Sequence, residues 1–250
     1  MPNPVDTLRL SVERLHALAA NLSDEQLVLS AYPSEWTIAQ VLSHLGSGAV
    51  IFKQRLVDET AGVPTPPEFN QSVWDTWNAK SPREQADDFL VADRELLASI
   101  DALSQEQRSA FTTSLGPLSL DFNGYLSLRL NEHAVHAWDV EVALDPAAVI
   151  PEEIAGSLVD NLELAVRFTA KSKGVEHLVH IETTGPQRHF ALVVGGEGVT
   201  LGASDVTTAD VVMPAEALVR LVYGRLDPEH TPPMVGSIDL EQLRETFPGM

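Results

Sequence analysis

The feature that most constrains the fold is a long apolar helical stretch that carries two metal-ligand-type side chains on one face. Apolar residues recur at helical spacing, and the pattern predicts one long helix from about Leu118 to Leu144. Within it, Glu132 and His136 are four residues apart, so one helical turn places both side chains on the same face. Because a buried carboxylate or imidazole is costly unless it is paired or coordinated, both residues are candidate ligands of a divalent metal.

A third ligand is available on another predicted helix. Thr37 and Gln40 form a capping-box signature, because their side chains can satisfy the free backbone amides at a helix start. The helix that they open is expected to run through His44 to about Glu59. Two histidines and one carboxylate suit Zn²⁺ or another borderline divalent ion. Three protein ligands leave one coordination position open, which is typical of catalytic rather than structural sites.

Other interpretations of these residues stay open. Glu132 and His136 could form an internal hydrogen bond with each other, or lie on the solvent-exposed face of the helix. His133 competes as a ligand but projects about 100° away from Glu132 around the helix, which favours a solvent or packing role. Asp139 is either an orienting partner of His136 or an exposed acid at the helix end. The other histidines are interpreted as surface or structural residues: His16, His177, His180, His189 and His230.

The first part of the chain is predicted to be helical. Helices are expected from Val5 to Leu22 and from Ser81 to about Ile100, and together with the two site-bearing helices they make a bundle of four main helices. The proline-rich segment 62–67 predicts a surface loop. Trp74 and Trp77 follow this loop and are either pocket residues or ordinary core.

The pattern changes character after Asp145 and Pro146. The predicted elements are a helix from Pro151 to about Lys173, strands at 177–182, 189–194, 199–201 and 206–213, and helices at 215–223 and 239–247. Short strands mixed with helices are typical of an α+β domain. The sequence therefore predicts a helix bundle over residues 1–148 and an α+β domain over residues 149–250.

Charge and cysteine content exclude several functions. There are 36 acidic and 16 basic residues, a net charge of -20, which repels nucleic-acid phosphates and anionic lipids. The chain has no cysteine, so it forms no disulfide and has no cysteine nucleophile; thiol chemistry would need a thiol from outside. Neither a membrane span nor a signal peptide is evident. We expect a soluble cytoplasmic protein, as a monomer or homodimer, that takes small molecules as partners.

Several segments resemble a known family. Residues 36–45 (WTIAQVLSHL) and 132–139 (EHAVHAWD) resemble the mycothiol-dependent maleylpyruvate isomerase family. The similarity continues in the usual order through residues 180–184, 209–211, 221–226 and 235–240, so it covers nearly all of the chain. The resemblance implies a DinB-like four-helix bundle followed by a small α+β domain similar to sterol-carrier folds.

The resemblance also implies a function. The family's divalent metal, usually zinc, would be held by His44, Glu132 and His136, the same triple that the spacing indicates. Arg225 matches the family's catalytic arginine, with Arg220 as a fallback. An arginine fork suits the carboxylates of a dicarboxylate substrate, although a cation also favours the end of a helix. The nucleophile would be the sulfur of mycothiol.

Three functions follow as hypotheses. The first is a mycothiol-dependent divalent-metal enzyme, a cis–trans isomerase or S-transferase, that acts on small electrophiles or unsaturated acids. The second is a non-catalytic metal-binding, ligand-binding or regulatory module on the same fold. The third is a metal-water hydrolase with Glu132 as its base, which conflicts with Glu132 as a metal ligand.

Overall fold

The chain divides into two compact units. A computed structural model describes residues 3–32, 35–115, 118–172, 176–196 and 198–249. The units are Met1–Asp145 and Pro146–Met250, and the predicted domain boundary after residue 148 lies close to this division.

The first unit is a four-helix bundle with short additional elements. Its helices are α1 (Pro4–Ala19), α2 (Asp24–Leu27), α3 (Ile38–Ala61), α4 (Phe69–Asn78), α5 (Pro82–Asp101), α6 (Gln105–Ala110) and α7 (Phe122–Val142), and its strands are β1 (Thr112–Leu115) and β2 (Leu118–Asp121). Helix α3 packs against α5 and α7, and α1 packs against α7 and α5. Each of the four contributes fully buried apolar side chains, such as Leu8, Leu42, Phe89 and Leu130. The predicted bundle of four main helices is confirmed.

Local sequence determines where the helices α3 and α5 begin. The Thr37 side chain accepts a hydrogen bond from the Gln40 amide, and the Gln40 side chain accepts one from the Thr37 amide. Ser81 and Glu84 form the same capping box at the start of α5, where Pro82 takes the first position. Both predicted starts are confirmed.

The helix predicted from Leu118 begins too early. Residues 118–121 form β2, which pairs with β1 in an antiparallel ladder. Helix α7 begins at Phe122, where the Asp121 side chain accepts a hydrogen bond from the Gly124 amide. The two-residue alternation of Leu118 and Leu120 with polar neighbours was the strand signal. The correction leaves the Glu132 face of α7 unchanged, because that residue lies well inside the helix.

The second unit is an α+β fold, as predicted. Its helices are α8 (Glu152–Val159), α9 (Leu162–Thr169), α10 (Ala215–Val222) and α11 (Leu240–Thr246), and its strands are β3 (His177–Thr184), β4 (Arg188–Gly195), β5 (Gly198–Ala203), β6 (Val211–Pro214) and β7 (Val235–Gly236). The sheet order is β5-β4-β3-β6-β7, with β3 and β6 parallel and the other pairs antiparallel. Helices α8 and α9 pack against α10.

None of the helices described in either unit has the length and apolar character that crossing a membrane requires.

The single helix predicted from Pro151 to about Lys173 is wrong. The chain forms α8 and α9 instead, with a break at Asp160 and Asn161, and α9 ends at Thr169; Lys173 lies outside the described residues. Short polar side chains compete with the helical backbone for hydrogen bonds, and Asn161 Nδ2 donates to the carbonyl of Ser157. The strand predicted at 206–213 is also too long, since β6 begins at Val211.

Candidate metal centre

Three ligand-type side chains from two helices of the bundle converge on one point. His44 on α3 and Glu132 and His136 on α7 each offer one donor atom, and these atoms lie within 4.8 Å of one another. Glu132 Oε2 lies 3.2 Å from His44 Nε2 and 3.8 Å from His136 Nε2. Among the residues that the structure describes, no other group of three histidines or acids comes together in this way. The sequence-predicted triple is thus assembled in the fold as a candidate metal centre.

The cluster is accessible and its carboxylate is charged. The exposed fraction of the side chain is 37% for His44, 34% for Glu132 and 16% for His136, so a small molecule can reach it. Burial raises the pKa of Glu132, but the hydrogen bond from His44 and the charges of His136, His44 and Arg129 lower it to about 2. Glu132 is therefore ionised at neutral pH, which is the form that binds a metal ion.

Asp139 fixes the orientation of His136. Its Oδ2 lies 2.8 Å from His136 Nδ1, and the residue is fully buried. Because Asp139 holds the Nδ1 edge of the ring, the opposite edge with Nε2 faces Glu132, at 3.8 Å from its Oε2. Metal-binding histidines commonly have such a carboxylate behind them. The burial of Asp139 favours the interpretation as an orienting partner over that as an exposed acid.

An indole ring borders the cluster. The ring centroid of Trp36 lies 5.4 Å from that of His44 and 6.2 Å from that of His136, and its plane is within 19° of the His136 imidazole. The Trp36 carbonyl accepts a hydrogen bond from the Ala31 amide, which holds the backbone of Trp36 in place. Since Trp36 is 40% exposed, it forms an aromatic wall on the accessible side. Trp36 entered the sequence analysis only as part of the segment 36–45, and its place just before the α3 cap was the signal that could have linked it to His44.

His133 does not join the cluster but lies in the bundle core. Its Nε2 lies 3.1 Å from Asp93 Oδ2, and its Nδ1 lies 2.8 Å from Ser11 Oγ. A serine, a histidine and an aspartate in this order resemble a nucleophilic triad. All three are at most 1% exposed, so no substrate reaches Ser11. The structure agrees with a packing role for His133.

The two tryptophans after the proline-rich loop differ in environment. Both lie on α4, and residues 62–67 before it form a loop as predicted. Trp77 is 5% exposed and packs so closely on α3 that a Cβ at Gly46 would lie 2.2 Å from its ring. Trp74 is 43% exposed. Trp77 is therefore a core residue that holds α4 on α3.

Both candidate catalytic arginines lie in the second unit. Arg225 follows α10, is 8% exposed, and donates from Nη1 to the Tyr223 carbonyl at 2.7 Å. Arg220 on α10 makes a two-point ion pair with Glu216, at 2.6 and 2.9 Å. It also donates from Nη1 to the His230 carbonyl at 2.8 Å. These contacts commit Arg220 to the fold of its own unit.

A four-helix bundle that brings two histidines and a glutamate together, followed by an α+β unit, has the DinB-like fold with an additional C-terminal domain. The family described as mycothiol maleylpyruvate isomerase N-terminal domain matches residues 8–141. Because this match spans more than half of the chain, the protein belongs to this family. The resemblance inferred from the sequence is confirmed.

Solved structures agree with the fold of the chain. A crystal structure of the mycothiol-dependent maleylpyruvate isomerase superposes with a TM-score of 0.66, at 15% identity over 90% of both chains. A histidine-to-alanine mutant of the mycothiol-dependent maleylpyruvate isomerase superposes with a TM-score of 0.65, at the same identity and coverage. At this identity the likeness shows the fold alone. A comparison with curated proteins found no match.

Proposed function

We propose that this protein is a mycothiol-dependent metalloenzyme that acts on small electrophiles or unsaturated acids, as a cis–trans isomerase or an S-transferase. The observation that carries the proposal is the convergence of His44, Glu132 and His136, with Asp139 behind His136, in a chain of this family. The similar solved structures are described as a mycothiol-dependent maleylpyruvate isomerase, which supports the same thiol and the isomerase activity.

The donor set fits a borderline divalent ion such as Zn²⁺. Two imidazoles and one carboxylate are ordinary ligands of this ion, and three ligands leave a position for an incoming group. The bound ion would supply a Lewis acid that keeps a thiol in its thiolate form near neutral pH. Mycothiol would supply the nucleophilic sulfur that this cysteine-free chain lacks.

The chain's own residues would orient ligands, limit solvent access and hold charge. Asp139 holds the Nδ1 edge of His136 so that Nε2 faces the cluster, and Glu132 is ionised before a metal binds. The indole of Trp36 lies along one side of the cluster and would limit the access of water from that side. Arg225 is proposed to bind a substrate carboxylate with its planar fork and to stabilise negative charge that develops on substrate oxygens.

Metal analysis of the purified protein tests the first part of the proposal. After expression with zinc, the wild type is expected to hold about one divalent ion per chain, as an open three-ligand site does. The variants His44→Ala and Glu132→Ala should lose it. His189→Ala, which removes a histidine of β4, should keep the wild-type content. A wild type without stoichiometric metal would contradict the proposal.

A substrate screen tests the second part. Cis-dienoic acids and small electrophiles are offered with and without mycothiol, and conversion is expected only when the thiol is present. Arg225→Met should lose conversion of dicarboxylates while its metal content stays at the wild-type level. A metal-loaded wild type that converts none of these compounds would favour the non-catalytic binding module.

A further inference from the structure

A buried ion pair lies one helical turn from the candidate metal centre. Arg129 on α7 is 2% exposed, and Asp93 on α5 is 1% exposed. Arg129 Nη2 donates to Asp93 Oδ1 at 2.7 Å and to the Leu45 carbonyl at 2.9 Å. Leu45 adjoins His44, and Arg129 precedes Glu132 by three residues. One guanidinium nitrogen therefore ties α3 to α7 beside a ligand on each helix.

The space around Arg129 is shaped to hold the guanidinium. At Gly48 on α3, a Cβ would lie 3.0 Å from Arg129 Nη1, so a larger residue would press on it. The second oxygen of Asp93 lies 3.1 Å from His133 Nε2, and Ser11 on α1 holds the other nitrogen of that imidazole. All four bundle helices thus contribute to one hydrogen-bonded cluster centred on Asp93 and Arg129.

A gain in folding stability does not by itself explain why the core contains a buried ion pair. The free energy lost when two charges leave water is comparable with the attraction that they gain. Apolar residues of similar volume often stabilise a core to the same degree or more. An apolar side chain could not, however, donate to Asp93 and to the Leu45 carbonyl at once. The geometry therefore points to a role in placing α3 against α7.

The same helix interface offers a reference contact farther from the centre. Tyr125 Oη donates to the Phe52 carbonyl at 2.6 Å. Like the arginine contact, this bond joins a side chain of α7 to a carbonyl of α3. Tyr125 lies about 10 Å along the helix from Glu132, so its bond holds the two helices together without touching the turns that carry the ligands.

We propose that Arg129 is a positioning residue for the metal centre. By joining the Leu45 carbonyl to Asp93, it fixes the separation of His44 and Glu132 before a metal binds. The inference rests on the metal-binding part of the proposed function. Breaking the link should weaken metal binding, whereas breaking the remote link through Tyr125 should not.

Cobalt(II) titration of the metal-free protein, followed by visible absorption, tests the role. The double variant Arg129→Met with Asp93→Asn removes both charges and keeps an amide oxygen for His133, so the bundle should still unfold cooperatively. Its cobalt affinity is expected to fall by roughly 10-fold, toward the low end of what is lost when a group hydrogen-bonded directly to a metal ligand is removed, because Arg129 acts through the backbone beside His44. Arg129→Lys keeps the positive charge but loses the planar guanidinium. Its cobalt affinity should therefore lie between those of the wild type and the double variant. Tyr125→Phe should retain the wild-type affinity and spectrum.

The outcomes separate this role from the proposed function. A wild type that binds no cobalt would overturn both. A wild type that binds cobalt, together with a folded double variant that binds it equally well, would overturn the positioning role alone. An equal loss of cobalt affinity in Tyr125→Phe would also overturn it. Metal binding would then depend on any link between α3 and α7 and not on Arg129 in particular. If Arg129→Lys fails to fold, the folded double variant decides the question, and wild-type cobalt affinity in that variant would overturn the positioning role.

Discussion

His136 Nδ1 lies 2.8 Å from Asp139 Oδ2, and this hydrogen bond is formed between residues three apart on one helix. Asp139 is fully buried, whereas His136 keeps one edge toward the accessible cluster. The pair therefore presents an oriented imidazole to Glu132 without any contribution from a second helix. Of the three candidate ligands, only His44 lies on a different helix and is placed by the packing of α3 against α7.

Asp139→Asn should weaken metal binding. The amide keeps the size of the side chain but removes the negative charge that makes His136 a better ligand, and the expected loss of cobalt affinity is roughly 10- to 100-fold. Cobalt titration of the metal-free protein measures it. Asp121→Asn is the control, because asparagine caps a helix as well as aspartate does. Unchanged affinity in Asp139→Asn would show that the pair does not support the site.

Asp93 should make stability depend on acid pH. Burial raises its pKa, but the charges of His133 and Arg129, the hydrogen bond from His133 and the nearby imidazole of His16 hold it far below the usual range. A carboxyl whose pKa is lower in the folded state stabilises the fold above its unfolded pKa, about 3.9, and this contribution is lost as pH falls below that value.

The variant Asp93→Asn tests this linkage. It should lose about 3 to 5 kcal/mol of unfolding free energy at neutral pH, because Arg129 is left buried without its partner. The difference in unfolding free energy between the wild type and the variant should decrease below about pH 4. Denaturant unfolding across this range measures it. A difference that stays constant into strong acid would mean that Asp93 is not an anion in the folded protein.

Trp36 should report on metal binding. Its ring lies near both imidazoles of the cluster, and cobalt(II) quenches indole fluorescence at short distance. Cobalt titration is therefore expected to lower the emission of the wild type and of Trp74→Phe, which loses an exposed indole of α4. Trp36→Phe should lose most of the change. Quenching as strong in Trp36→Phe as in the wild type would mean that the ion binds away from this indole.

The parts of the site that depend on one helix could be predicted from the sequence. Glu132, His136 and Asp139 lie within eight consecutive residues, and helical periodicity alone places them together. His44 needed the additional signal of the Thr37 capping box, which defines a second helix. The resemblance to the family then identified the same triple.

The cluster behind the site could not be predicted in this way. Arg129, Asp93 and Ser11 come from three helices, and their contacts depend on how those helices pack, which the spacing within any one helix does not encode. The strand at 118–121 was missed for a different reason. Its two-residue alternation is short, and the long helical pattern that follows it was extended too far.

Titration of the cobalt-substituted protein with mycothiol tests the central claim most directly. A thiolate that enters the open position should produce a sulfur-to-cobalt charge-transfer band that saturates at about one thiol per cobalt, since three protein ligands leave one position. Glu132→Ala, treated in the same way, should show no such band. A cobalt-loaded wild type whose spectrum does not change with mycothiol would contradict the claim that this centre activates a thiol.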